Sequence, residues 1–263
     1  MKVLIVFAHP EPRSLSASLR DVAIKHLESQ GHKVRVSDLY KNHWKAVLDR
    51  DDFGQLTKNE SLAVISASKD AYSSNNLTDD VKAEQQKLLW ADFVIMQFPL
   101  WWFSMPAILK GWVERVFSAG FAYMVGKRTE TTLYDRYGEG TFVGKRAMLL
   151  ITIGGSKENY GPRGVNGPIN DVLFPIHHGI LFYSGFSVLP PFTLYRANAL
   201  KETDFEKVAD GLRSHLNDFR HQEPIPFRSQ NGGDYELPEG ILKEQLVAPG
   251  SMGFSLHLRE KRQ

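Results

Sequence analysis

Short apolar runs separated by segments of helical period constrain this chain most, because that alternation builds parallel strands joined by helical crossovers. The first run, residues 3–8, is Val-Leu-Ile-Val-Phe-Ala with no polar interruption. Leu15, Leu19, Val22, Ala23 and Leu27 then fall on one helical face, and Gly31 stands where such a helix closes. Residues 34–39 begin as an alternating strand, whereas residues 40–77 are polar and mixed and read as a long excursion. Asp79 and Asp80 mark a helix start before residues 81–90, and residues 92–98 form an almost wholly apolar central strand ended by Pro99.

Beyond the aromatic loop 100–106, Ile108, Trp112, Val113 and Val116 space a buried helix face within 107–117. Residues 126–144 read as a charged, glycine-containing surface insertion, and 147–153 as the next strand, leading to Gly154-Gly155. Residues 170–183 can be helical, 186–189 form a short strand, and Phe205, Val208, Leu212 and Leu216 line one face of a helix over 204–220. The Pro- and Gly-rich remainder lacks the apolar content for its own core. The expected organisation is a domain over 1–220 and an arm over 221–263, packed on that domain or on a partner subunit.

A chain of 263 residues suits one large α/β domain with an extension. Its 42% hydrophobic and 24% charged residues are those of a folded globular protein. Lys and Arg total 32 against 30 Asp and Glu, with no basic block, so nucleic acid is not an expected partner. The absence of cysteine excludes disulfides, thiolate nucleophiles and Cys-ligated metals. Residues 3–8 are too short to span a membrane, and His9-Pro10 follows instead of a small-residue cleavage site. A cytoplasmic protein without a transmembrane segment is expected. His177-His178 predicts no metal site, because adjacent helical residues point about 100° apart and no partner ligands stand near in sequence.

Ligands of open parallel sheets sit beyond the carboxyl ends of the strands, which directs attention to three loops. The first carries His9, Arg13, Ser14, Leu15 and Ser16 into a helix start, where free N–H groups and the dipole favour a phosphate. It lacks the Gly-x-Gly-x-x-Gly pattern, so a flavin phosphate suits it better than a pyridine dinucleotide. Its plainer reading is a capped helix. The second loop, Pro99, Leu100, Trp101, Trp102, Phe103, can wall an isoalloxazine ring or plug the core beneath the next helix. The third, Thr152, Ile153, Gly154, Gly155, continues to Tyr160; it gives backbone room and a phenol donor to a planar ligand, or makes an ordinary turn.

In this order, the segments AHPEPRSLSASL, AEQQKLLWADFVIMQFPLWWFSMPAILKGWVERVF and ITIGGSKENYGPRGVNG resemble the NAD(P)H quinone reductase (DT-diaphorase) family and its bacterial relatives. The resemblance covers the chain to about residue 220, with a weaker likeness around 240–242 and 253–255. It implies a flavodoxin-like doubly wound parallel sheet and a homodimer holding FAD at its interface, FMN being the alternative. It also implies that NAD(P)H and then a quinone-like acceptor occupy one pocket over the ring.

By the same resemblance, His9, Leu15 and Ser16 match flavin phosphate positions, with Leu15-Ser16 in place of the family's Phe-Asn. Residues 100–103 and 152–155 match segments beside the ring, Ile153 replacing a Thr. Tyr160 matches a tyrosine near the ring carbonyl, and with the Gly154 and Gly155 amides it is the candidate catalytic group. Tyr123, Asn166 and Gly167 are candidate substrate-pocket residues. Asn166 stands where mammalian enzymes have a histidine, and Val125 where they have a second tyrosine, which puts a titrating relay in doubt. The implied reaction is ping-pong hydride transfer from NAD(P)H to the acceptor. Competing readings are an accessory flavoprotein of a potassium-efflux transporter, an FMN-dependent azoreductase and a simple electron carrier.

Overall fold

A computed structural model describes residues 1–56, 59, 61–129 and 133–259. Residues 130–132 of the insertion and 260–263 of the arm lie outside the described residues.

Three apolar runs become the centre of a parallel sheet: β1 (Lys2–Phe7), β3 (Phe93–Pro99) and β4 (Arg146–Thr152). β3 is buried at every position, as a strand covered on both faces must be. With β2 (Lys33–Asp38) and the short β5 (Ser187–Val188), the strands run 2-1-3-4-5, and β6 (Phe192–Leu194) pairs with the far end of β4. All these pairings are parallel, in register Val3 to Phe93 and Phe93 to Arg146. The strand order reverses between β1 and β3, which opens a crevice at their carboxyl ends.

The helices cover both faces. On one, α1 (Leu15–Ser29) and α6 (Phe205–Asn217) bury Leu19, Ala23, Leu27, Leu212 and Leu216 against β1 and β3. On the other, α3 (Asp79–Trp90), α4 (Ala107–Val116) and α5 (Ile169–Ile176) pack around Trp112, Val116 and Phe142. The helix expected over 170–183 is interrupted: α5 contains Pro175 and passes into a π-helical segment, His177–Phe182. Proline lacks the N–H that an uninterrupted α-helix requires, so the hydrogen-bond register changes there.

The excursion contains α2 (Val64–Ser73), which the sequence pattern did not assign. Trp44, Phe53 and Ala67 enter the core, and Arg115 on α4 pairs with the buried Asp52 at 2.7 Å. Past residue 221, Phe254 stacks on Phe174 with ring centres 4.3 Å apart, and Phe227 reaches the core. The small hairpin of β7 (Tyr235–Glu236) and β8 (Ile241–Leu242) lies within this segment. Gln230 accepts from Arg136 Nε and donates to the Tyr134 carbonyl, which ties the arm to the insertion.

Candidate active site

α1 begins where Ser14, extended at φ −67° and ψ 159°, turns its hydroxyl back to accept from Ala17 N at 3.1 Å. The amides of Leu15 and Ser16 have no acceptor among the described residues and face the crevice at the positive end of a 15-residue helix. Ser16 lies beneath that opening. Its hydroxyl bonds Thr152 Oγ1 at 2.9 Å, and its carbonyl accepts from Gln97 Nε2 at 2.6 Å. His9 Nδ1 accepts from Glu11 N at 3.1 Å, which leaves the proton on Nε2 of the neutral ring. Burial lowers the His9 pKa from its ordinary value and so favours that neutral form.

A cleft of about 360 Å³ joins these groups to the other two loops. His9, Ser14, Leu15 and Ser16 line one side, Pro99, Leu100 and Trp101 the second, and Thr152 and Gly154 the third. Among the described residues, no lysine or arginine lines it. The Arg13 guanidinium is turned to solvent, 90% exposed, against Glu11 at 3.2 Å. Ile153 is buried in the core, and its amide donates to the Leu194 carbonyl at 2.8 Å. Ala197 and Asn198 also line the cleft, although no local pattern marked them.

Beyond the cleft, the aromatic loop makes a tight turn. Trp101 and Ser104 exchange backbone hydrogen bonds at 3.0 Å each, and the two residues between them, Trp102 and Phe103, have φ of 49° and 60°. Two successive positive φ values are normally left to Asn and Gly, and a large side chain there costs about 1–3 kcal/mol. Trp102 is nevertheless 96% exposed and Phe103 50%. These side chains therefore do not plug the core. Phe103 faces Tyr160 with ring centres 6.5 Å apart.

Tyr160 closes the short 3₁₀ segment Lys157–Tyr160 and lies against Gly155, where a Cβ would come within 3.1 Å of its ring. A Cβ on Gly154 would meet the Asn198 amide at 3.3 Å. Side chains thus approach the diglycine closely on both sides. Burial raises the Tyr160 pKa against the opposing effect of its hydrogen bond with the Asn166 side chain. Gly167 follows Asn166 with φ of 74°, and its amide donates to Gly164 O at 3.0 Å. Tyr123 does not line the cleft; its phenol, raised by burial, hydrogen-bonds Ser68 on α2.

A family model described as a flavodoxin-like fold matches residues 1–216. A ribosyldihydronicotinamide dehydrogenase-like protein of Penicillium crustosum is 54% identical over 98% of this chain and 96% of its own. The rat NAD(P)H dehydrogenase (quinone) 1 is 38% identical over 94% of this chain and 87% of its own. A solved structure of a candidate quinone reductase from Klebsiella pneumoniae superposes with a TM-score of 0.95, at 54% identity over 98% of this chain and all of that one. The chain is thus an oxidoreductase of the flavodoxin-like class. Within that class it belongs to the NAD(P)H quinone reductase family.

Proposed function

We propose that this protein holds FAD in the cleft, transfers hydride from NAD(P)H to a quinone-like acceptor in two half-reactions, and works as a homodimer. The observation that carries the reading is the exposed Trp102–Phe103 turn, held at strained φ beside a donor-lined cleft and facing Tyr160. Strain kept at solvent-facing aromatics points to a ligand that covers them. The cleft passes the chemical test for a flavin nucleotide: apolar walls, free amides at a helix start, and glycines where a side chain would crowd the opening. His9 also borders a larger depression of about 860 Å³, so a ligand anchored at Ser14–Ser16 has room to continue as a dinucleotide.

When bound, the flavin supplies the two-electron chemistry, accepting hydride from the nicotinamide and passing it to the acceptor. The protein groups position and polarise. Leu15, Ser16 and His9 would hold the phosphate, Leu100 to Phe103 would wall the ring, and the residues from Thr152 to Gly155 would border its polar edge. The Gly154 and Gly155 amides have no acceptor among the described residues, and with the Tyr160 hydroxyl they would offset negative charge developing at that edge. Asn166 orients the phenol and does not titrate.

A second copy suits the exposed apolar residues Trp102, Phe103 and Val165, and would bring another Tyr123 toward the acceptor pocket with Asn166 and Gly167. Residues 1–220 would then be the flavin-binding domain and 221–263 its arm.

Heat release and chromatography of the cofactor, followed by turnover with NADH, NADPH and ribosyldihydronicotinamide against a quinone, tests the reading. FAD with quinone-dependent turnover supports it. FMN alone favours an azoreductase, and failure of the apo-protein to bind any flavin removes the proposal. Light scattering at the same concentration reports the dimer.

A further inference from the structure

We infer that Arg196 is a specificity residue for the electron acceptor, its guanidinium favouring quinones that carry a sulfonate or carboxylate. The inference rests on the quinone reductase reading of the site and narrows the acceptor class that this reading leaves open.

Arg196 stands just beyond β6, between residues that already belong to the site. The Tyr195 ring centre lies 5.9 Å from that of Tyr160, and Ala197 and Asn198 line the cleft. Two backbone bonds fasten this loop to the diglycine segment: the Arg196 amide donates to Gly155 O and the Ala197 amide to Ile153 O, each at 2.9 Å. Arg196 itself is left-handed, φ 53° and ψ 34°, a conformation ordinarily left to glycine or asparagine. Glycine would make the same turn with less strain, so the backbone does not call for arginine here.

The side chain is little engaged by the fold. It is 69% exposed, and its partner Glu158, on the 3₁₀ segment that ends in Tyr160, is 78% exposed and 3.8 Å away. A pair so open to water binds weakly, and the guanidinium can turn to another anion. The pairing with Glu158 sets it at the Tyr160 end of the site. Lys157 and Arg163, before and after Tyr160 in the chain, are exposed and form no salt bridge among the described residues. Arg196 and the segment 157–163 therefore bring three cations and a single carboxylate to Tyr160, whereas no lysine or arginine among the described residues lines the flavin cleft. The positive charge acts on what approaches Tyr160, and at moderate salt it reaches an anionic ring substituent before contact.

NAD(P)H is anionic as well, so the test bypasses it. The flavin of the holo-protein is reduced by light and EDTA, and its reoxidation is followed by rapid mixing with neutral menadione or with a naphthoquinone sulfonate. Arg196→Gly should slow reoxidation by the sulfonate about threefold or more and flatten its salt dependence, with menadione changed by less than about twofold. Arg196→Glu should widen that gap, and Arg196→Lys, which keeps the charge, should hold the parental preference. Glycine suits the left-handed backbone, so Arg196→Gly should melt at the parental temperature or above it. Equal losses for the two quinones, or none for the sulfonate, overturn the assignment. Loss of bound flavin in Arg196→Gly also overturns it, by making the arginine a cofactor anchor. If Arg196→Gly melts early, Arg196→Lys decides: a parental rate with the sulfonate supports the role of the charge, and a loss equal to that of Arg196→Glu overturns it. A parent whose reduced flavin neither quinone reoxidises overturns the quinone reading itself, a result distinct from any variant effect.

Discussion

Ser16 and Thr152 hydroxyls lie 2.9 Å apart across 136 residues of sequence, joining the first turn of α1 to the end of β4 under the floor of the cleft. Both residues are buried. Because Gln97 near the end of β3 also donates to the Ser16 carbonyl, one serine fixes the helix start relative to β3 and β4. The position of the free amides is therefore set by polar contacts beneath the site, with the apolar core farther down.

Thr152→Val keeps the shape of the side chain and leaves the Ser16 hydroxyl without its partner. The expected loss is about 1–3 kcal/mol in urea unfolding of the apo-protein, the usual cost of an orphaned buried hydroxyl. Flavin affinity should fall as well, since the amides above Ser16 lose their registration. A stability change confined to a few tenths of a kcal/mol would show that the floor does not depend on this contact.

Trp102→Gly and Trp102→Ala separate ligand binding from folding. Glycine removes the penalty of positive φ, so the apo-protein should unfold at the parental midpoint or above it, by up to about 1 kcal/mol. Both variants should retain less flavin after gel filtration because the apolar wall is gone. A loss of ~3 kcal/mol or more in apo stability, with flavin retained, would indicate core packing in place of ligand contact.

The central strands and the helices α1, α3, α4 and α6 were legible in the sequence because their signals are local. Residues 3–8 and 92–98 announce buried parallel strands, and the spacing of Phe205, Val208, Leu212 and Leu216 marks α6. The excursion over 40–77 was opaque for the opposite reason: its anchor is the Asp52–Arg115 pair, 63 residues apart, and α2 buries only the small residues Ala67, Ser68 and Ala71. β6 was missed because three residues are too few to show alternation. In the site, the three loops could be named from their chain positions. The strained turn at Trp102 and Phe103 could not be read there, nor could Asn198, whose place depends on backbone bonds to Ile153 and Gly155.

Acid should destabilise the protein through its paired histidines. Burial lowers His177 to about 3, and burial, aided by His257, lowers His178 to about 4, whereas the unfolded chain protonates both near 6.5. The His178 ring is packed among Phe174, Tyr137, Phe227 and His257, with centres 4.5, 4.7, 5.1 and 5.6 Å away. Below pH 6.5 the unfolded state binds more protons, so stability is complete above that value and falls toward pH 4. Two histidines give a slope of up to about 2.7 kcal/mol per pH unit. His178→Phe preserves the stacking and should remove about half of that slope in urea titrations between pH 5 and 7. An unchanged slope would assign the acid sensitivity elsewhere.

Tyr160→Phe should slow flavin reduction while leaving flavin bound, because the lost hydroxyl is a donor to charge that appears only as hydride arrives. The expected decrease is roughly tenfold to a hundredfold, or ~1.4 to 2.7 kcal/mol of barrier, since the Gly154 and Gly155 amides remain. Asn166 hydrogen-bonds the phenol but cannot titrate, so the parental reduction rate should show no ionisation at this position near neutrality. Asn166→His places an imidazole in that position and should introduce a pH dependence centred near 6.5, absent from Asn166→His/Tyr160→Phe if the imidazole acts through the phenol. Rapid mixing with NAD(P)H, following flavin bleaching from pH 5.5 to 8.5, reads all four proteins. A parental rate in Tyr160→Phe at every pH would make Tyr160 a packing residue and leave charge stabilisation to the diglycine backbone.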